Sequence, residues 1–277
     1  MLRIARIVLA LLITIAPSSA TWAADLGTQL MLCTFKLVNP KTQGTVFVLT
    51  REGDRPARLL ITAAHVLEQM DGDEATLVAR KETADQQFER LNFALKIRRE
   101  KKPLWTRHPT QDVAVLPVEL PPEAHVSRVS LALLATDDML RANEVHPGDL
   151  LRCPGFPHAA QFEPNAAGFP LIRLGCLASF PIVPTQSTKS LLFDFNTFEG
   201  DSGAPVYLED PRRVLAGRPE PVHTQLILGV VHGQHMIDEH FRTVYQSGQT
   251  RHRMGLAIVT HASAIRETIE LLDAAPR

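Results

Sequence analysis

From residue 30 onward, apolar residues come in short continuous or alternating runs, each cut by Gly, Pro or a polar cluster. Runs of that length, bounded by turn residues, suit strands rather than helices, and this constrains the fold more than any other feature. They fall at 30–38, 45–51, 58–62, 75–79, 91–97 and 113–118, and again at 150–153, 171–180, 191–195, 204–208, 226–231 and 256–259. Asn39-Pro40, Glu52-Gly53-Asp54-Arg55-Pro56 and Pro154-Gly155-Phe156-Pro157 supply strong turn signals between them. Only 63–70, a turn at 137–143 and an amphipathic stretch at 263–272 read as helix, the last with Ile265, Ile269 and Leu272 on one face. The predicted class is all-β.

The two groups of runs are separated by a Pro-rich, polar connection at 117–148, the kind of stretch at which domains part. The predicted division is a signal peptide over 1–24, a first β unit over 25–120, a connection over 121–147, and a second β unit with the terminal helix over 148–277. The stretches 159–168, 210–221 and 234–253 read as polar loops. With 277 residues, 45% of them hydrophobic and 21% charged, the chain can bury one large core or two smaller ones. A net charge of −1 gives no reason to expect nucleic acid or an anionic membrane as partner.

Arg3 and Arg6, the apolar stretch 7–16, and the small residues around Ala20 and Ala23 form the pattern of a secretory signal. An uncleaved anchor is the alternative, although the apolar run is short for a bilayer. Export to the periplasm or the outside is therefore expected, with no membrane association once the signal is removed. Three cysteines, Cys33, Cys153 and Cys176, cannot all pair. An exported protein permits pairing. Cys153 and Cys176 flank a probable hairpin and are the expected bridge, with Cys33 free, although sequence does not establish connectivity.

Chemistry concentrates in Glu199-Gly200-Asp201-Ser202-Gly203-Ala204-Pro205-Val206. A hydroxyl is a weak nucleophile that needs a base and a site for developing negative charge. Glycine beside it lets backbone N–H groups converge on an oxyanion. Alone, the octapeptide also has the composition of a polar turn between strands. Two upstream segments add to it. Thr62-Ala63-Ala64-His65 places a histidine after an apolar run, and Asp112-Val113-Ala114-Val115-Leu116 places an aspartate before one.

In that order along the chain, these three segments resemble the chymotrypsin-like (trypsin-like) serine peptidases, in style closest to exported bacterial members. The resemblance covers roughly 30–273, though its specific motifs occupy only short pieces. It implies two six-stranded antiparallel β-barrels with a C-terminal helix, and an active site between them. It implies Ser202 as nucleophile, His65 as general base and acid, Asp112 as the group that orients the imidazole, and the N–H groups of Gly200 and Ser202 as oxyanion donors. A polypeptide would be the substrate, no cofactor or metal would be needed, and the rate should rise as His65 loses its proton. Asn196 and His232 are the implied substrate-pocket residues. Asn196 lacks the charge that would attract Lys or Arg, and His232 is either an acceptor for an acidic side chain or a wall histidine.

Two departures from the pattern matter. Ala204 replaces a glycine common after the nucleophile. No Ile-Val-Gly-Gly start exists to supply an N-terminal partner for Asp201, which then needs other partners or serves as a turn residue. His232, His235, His240 and His252 match no metal-ligand spacing and read as loop histidines. A catalytically silent peptidase-like binding protein, and an esterase or acyl transferase using the same residues, remain the alternatives.

Overall fold

The computed structural model describes residues 25–53, 57–158 and 162–275; the predicted signal peptide lies outside them. The elements run α1 (Leu26–Cys33), β1 (Thr34–Val38), β2 (Gln43–Arg51), β3 (Ala57–Thr62), α2 (Ala64–Glu68), β4 (Glu74–Ala84), β5 (Gln87–Lys96), β6 (Arg98–Arg99), β7 (Lys102–Pro103), β8 (Thr106–Arg107) and β9 (Ala114–Val118). After a single 3₁₀ turn they continue α3 (Asp137–Ala142), β10 (Leu150–Gly155), β11 (Leu171–Leu177), β12 (Ser190–Asp194), β13 (Pro205–Arg213), β14 (Val222–Arg242), β15 (Ser247–His261) and α4 (Ala262–Ala274). The chain is mostly β, as the run pattern predicts. None of the helices among the described residues is long and apolar enough to cross a membrane.

In the second half, six strands close into a barrel in the order β10-β11-β12-β15-β14-β13. The first half corrects the expected strand count. It is a seven-stranded antiparallel sheet ordered β5-β4-β1-β2-β3-β9-β8, whose edge strands are not paired with each other among the described residues. The reason is local. The chain before β8 forms the separate β6–β7 hairpin, and β8 is two residues long, too short a ladder for closure.

The middle of this sheet is buried on both faces. Along β2, Val46 and Val48 point into the core of the first half, while Phe47 and Leu49 join the core shared with the barrel. Leu60 on β3 and Ala114 and Leu116 on β9 fall on the first side, with Leu59, Ile61 and Val115 on the second. Period-two alternation therefore feeds two cores from one set of strands, so these segments read as unbroken apolar runs.

Three stretches depart from the sequence reading. Residues 26–33, partly read as strand, are helical. Asp25 caps them by accepting the Thr28 N–H at 2.7 Å, and Leu26, Leu30 and Cys33 are buried at helical spacing. The stretch 234–253, read as a loop, is a β-ribbon continuing β14 and β15 beyond the barrel. It is held by its own ladder, by an Arg251–Asp238 ion pair at 2.9 Å and by a His252–Glu239 contact at 2.9 Å. Charges with β-forming Ile237 and Phe241 between them mimic a loop in composition but pair well across strands.

The third departure concerns the cysteines. All three are free. The register of β10 with β11 sets Cys153 opposite Arg173 and Leu150 opposite Cys176. Cys153 and Cys176 are thus offset by an odd number of positions and project from opposite faces of the sheet. The expected bridge fails for that reason. Cys153 is buried in the barrel, and burial pushes the Cys33 thiol up to about 12.

Candidate active site

His65 is the second residue of α2, which begins directly after β3. Ala64, Val66 and Leu67 are buried, so the short helix is anchored while the imidazole remains at the seam between the halves, 30% exposed. Asp112 sits at the end of a tight turn leading into β9. Its two carboxylate oxygens both engage the same residue: Oδ2 meets His65 Nδ1 at 2.5 Å, and Oδ1 accepts the His65 backbone N–H at 2.9 Å. Burial raises the Asp112 carboxyl, but the His65 ring, its backbone N–H and the nearby His232 outweigh it and hold the acid below its ordinary range.

The loop carrying Ser202 is tied to the strand that leads to His65. Thr62 Oγ1, at the end of β3, donates to Thr45 O at 2.8 Å. Thr45 N donates to Ser202 O at 2.8 Å, and Thr45 Oγ1 donates to Gly200 O at 2.7 Å. This approach is close enough that Gly203 has no substitute: a Cβ there would lie 1.9 Å from Thr45 O and 2.2 Å from Thr62 Oγ1. Gly200 has φ +97°, a left-handed conformation that favours glycine, and among the described residues the N–H groups of Gly200 and Ser202 meet no protein acceptor.

The structure thus brings His65 and Asp112 into direct contact and fastens the Ser202 loop beside them. It does not form a hydrogen bond between the Ser202 hydroxyl and His65: among the described residues that hydroxyl has no partner. Such contacts are often open until substrate is bound.

Asp201, left without an expected partner, is fully buried. Arg173 on β11 grips it with two N–H groups, Nη2 to Oδ1 and Nη1 to Oδ2 at 2.9 Å, and Phe198 N donates to the same Oδ2 at 2.7 Å. The guanidinium also donates to Asn196 O at 3.2 Å and lies 4.8 Å from the centre of the Phe195 ring. Burial still dominates, and the Asp201 carboxyl stays above its ordinary value.

A cleft of about 240 Å³ adjoins Ser202, between the stretch 197–199 and the strand segment 231–234. Arg253 on β15 closes one side, its guanidinium 4.8 Å from the centre of the Phe198 ring. Asn196 is exposed and does not line this cleft. His232 does not line it either; its Nδ1 is 2.8 Å from Thr260 Oγ1. Burial lowers the His232 imidazole, partly offset by Asp112 and reinforced by His65, so it lies near the acid–imidazole pair. His235, His240 and His252 lie along the ribbon. Sequence reading missed Arg173, Arg253 and the Thr45–Thr62 tie. The open question of a partner for Asp201 was the one signal that bore on Arg173.

No protein-family model matches this chain, and no curated protein matches it. Among solved structures it is similar to the Rv3671c protease in its inactive form, with 17% identity, 89% of this chain and 92% of that chain covered, and a TM-score of 0.45. It is also similar to the scabies mite inactivated protease paralogue S-D1, with 12% identity, 92% and 97% covered, and a TM-score of 0.48.

Proposed function

We propose that this chain is an exported serine endopeptidase acting through Ser202, His65 and Asp112. The observation that carries the reading is the two-point grip of Asp112 on His65, beside a nucleophile loop fastened to the strand that ends at that histidine. With Nδ1 committed to Asp112, Nε2 is the nitrogen left to accept a proton. Ser202 Oγ attacks the substrate carbonyl carbon and its proton passes to Nε2. The oxyanion that forms is held by the N–H groups of Gly200 and Ser202. Collapse breaks the C–N bond, the departing amine takes the proton from Nε2, and an acyl-enzyme remains. Water then repeats the sequence and releases the acid. Loss of one oxyanion donor typically costs about a hundred- to a thousandfold in rate.

The seven-stranded first half is read as the counterpart of one barrel of the chymotrypsin-like pattern, and the closed barrel as the other. Arg173 supports the reading as well, since it supplies the cation that Asp201 needs without a processed N-terminus.

One observation favours a second reading, a silent binding protein: the hydroxyl of Ser202 is not hydrogen-bonded to His65. A fluorophosphonate probe separates the two. The parent should be labelled at Ser202 and Ser202→Ala should not. A folded parent that stays unlabelled sinks the enzyme reading. Labelling with ester turnover but no cleavage across a broad peptide library makes it an esterase.

A further inference from the structure

The turn that presents Asp112 is built around a histidine that the proposed chemistry does not use. His108 is 6% exposed, and its ring fills the inside of the turn. Its Nδ1 accepts two backbone N–H groups, Gln111 at 2.9 Å and Thr110 at 3.2 Å. The backbone closes over it, with His108 N donating to Val113 O and Val113 N to Gln111 O, both at 3.0 Å. A nitrogen that accepts two N–H bonds carries no proton. The ring proton is therefore on Nε2, which donates to Glu267 Oε2 at 2.8 Å.

Glu267 belongs to α4, which packs against β8 and β9. The terminal helix of the second half thereby fixes the tautomer of a ring that shapes a turn in the first. The same turn is tied to the histidine helix: Arg107 Nε pairs with Glu68 on α2 at 2.7 Å, and Arg107 Nη1 donates to His108 O at 3.1 Å. Asp112 reaches His65 with both oxygens only if this turn keeps its shape.

We propose that His108, held in its Nε2–H tautomer by Glu267, is a positioning residue that aims the Asp112 carboxylate at His65. This rests on the reading that Ser202, His65 and Asp112 act together. A shift of about 1 Å in a reacting group can cost about a hundredfold in rate, so loss of the turn should appear in the chemical step rather than in binding.

Three variants separate this role from simple packing. Asn at 108 keeps an acceptor oxygen near the place of Nδ1. Gln reaches toward Glu267 but offers the turn no acceptor. Ala offers neither. Saturation kinetics of fluorophosphonate labelling give a maximal acylation rate and a half-saturating concentration. Histidine-labelled protein gives the downfield NMR resonance of the His65 Nδ1 proton.

His108→Gln and His108→Ala should lose about tenfold to a hundredfold in maximal rate at unchanged half-saturation, and should lose or shift that resonance. His108→Asn should recover most of the rate and keep the resonance. Equal rates for Asn and Gln variants that melt like the parent would overturn the proposal, as would an Ala variant with the parent's rate and resonance. If His108→Ala does not fold, the Asn and Gln pair decides. If the parent is never acylated, the enzyme reading fails alone, because the His65 resonance still reports whether His108 positions Asp112.

Discussion

Replacing Arg173 by Met should turn a buried ion pair into a buried lone acid, with a cost that depends on pH. Asp201 is fully buried, and removal of the guanidinium leaves it one N–H donor, Phe198 N at 2.7 Å. Breaking such a pair from one side typically costs about 3–5 kcal/mol. The acid has an escape, which is to bind a proton. Starting from an ordinary Asp pKa near 3.9, that costs about 1.4 kcal/mol per pH unit, so about 4 kcal/mol at pH 7. The sign follows from linkage. The native variant holds a proton that the unfolded chain releases, so the deficit is near zero below the unfolded pKa and grows as pH rises toward the folded one. In the parent this carboxyl is already raised by burial, with Arg173 opposing, so the variant moves further in the same direction. Urea unfolding of Arg173→Met and parent at pH 5, 6 and 7 measures this. A stability gap that widens with pH to about 3–4 kcal/mol at pH 7 is expected. A gap that does not change with pH, or one below about 1 kcal/mol at pH 7, would refute the reasoning.

Two further outcomes follow from the structure. His261 is fully buried and caps α4 by accepting the Ser263 N–H at 3.0 Å; burial lowers its imidazole to about 4. Its protonation therefore favours the unfolded chain, and about 3 kcal/mol of stability should disappear as pH falls from about 6.5 to 4. His261→Asn keeps a helix cap and should flatten that acid limb in thermal melts; an unchanged limb would assign it to other groups. Alkylation of the unfolded, unreduced protein should add three labels, one on each of Cys33, Cys153 and Cys176. A single label would reinstate an intramolecular bridge.

Much of the placement of strands along the chain was legible because period-two burial and Gly/Pro punctuation are local signals. The segments around His65, Asp112 and Ser202 were legible for a different reason, since each pairs a reactive residue type with a strand end. Three things were not. The helix at Leu26–Cys33 runs straight into β1, so its apolar residues merge with the strand's in the sequence. The ribbon beyond the barrel has strand-like pairs but the composition of a loop. Arg173 and Asp201 meet through the barrel's closure, and Cys153 and Cys176 miss each other through a register, and neither closure nor register is written in local composition. The partner of Asp201 was foreseeable as a need, and its identity was not.

β2 has solvent on neither side along most of its length: one row of its side chains belongs to each core. It is a party wall rather than an outer one. Neither half can be lifted off without stripping the other, so a gene cut at the connection should yield two insoluble fragments instead of two modules.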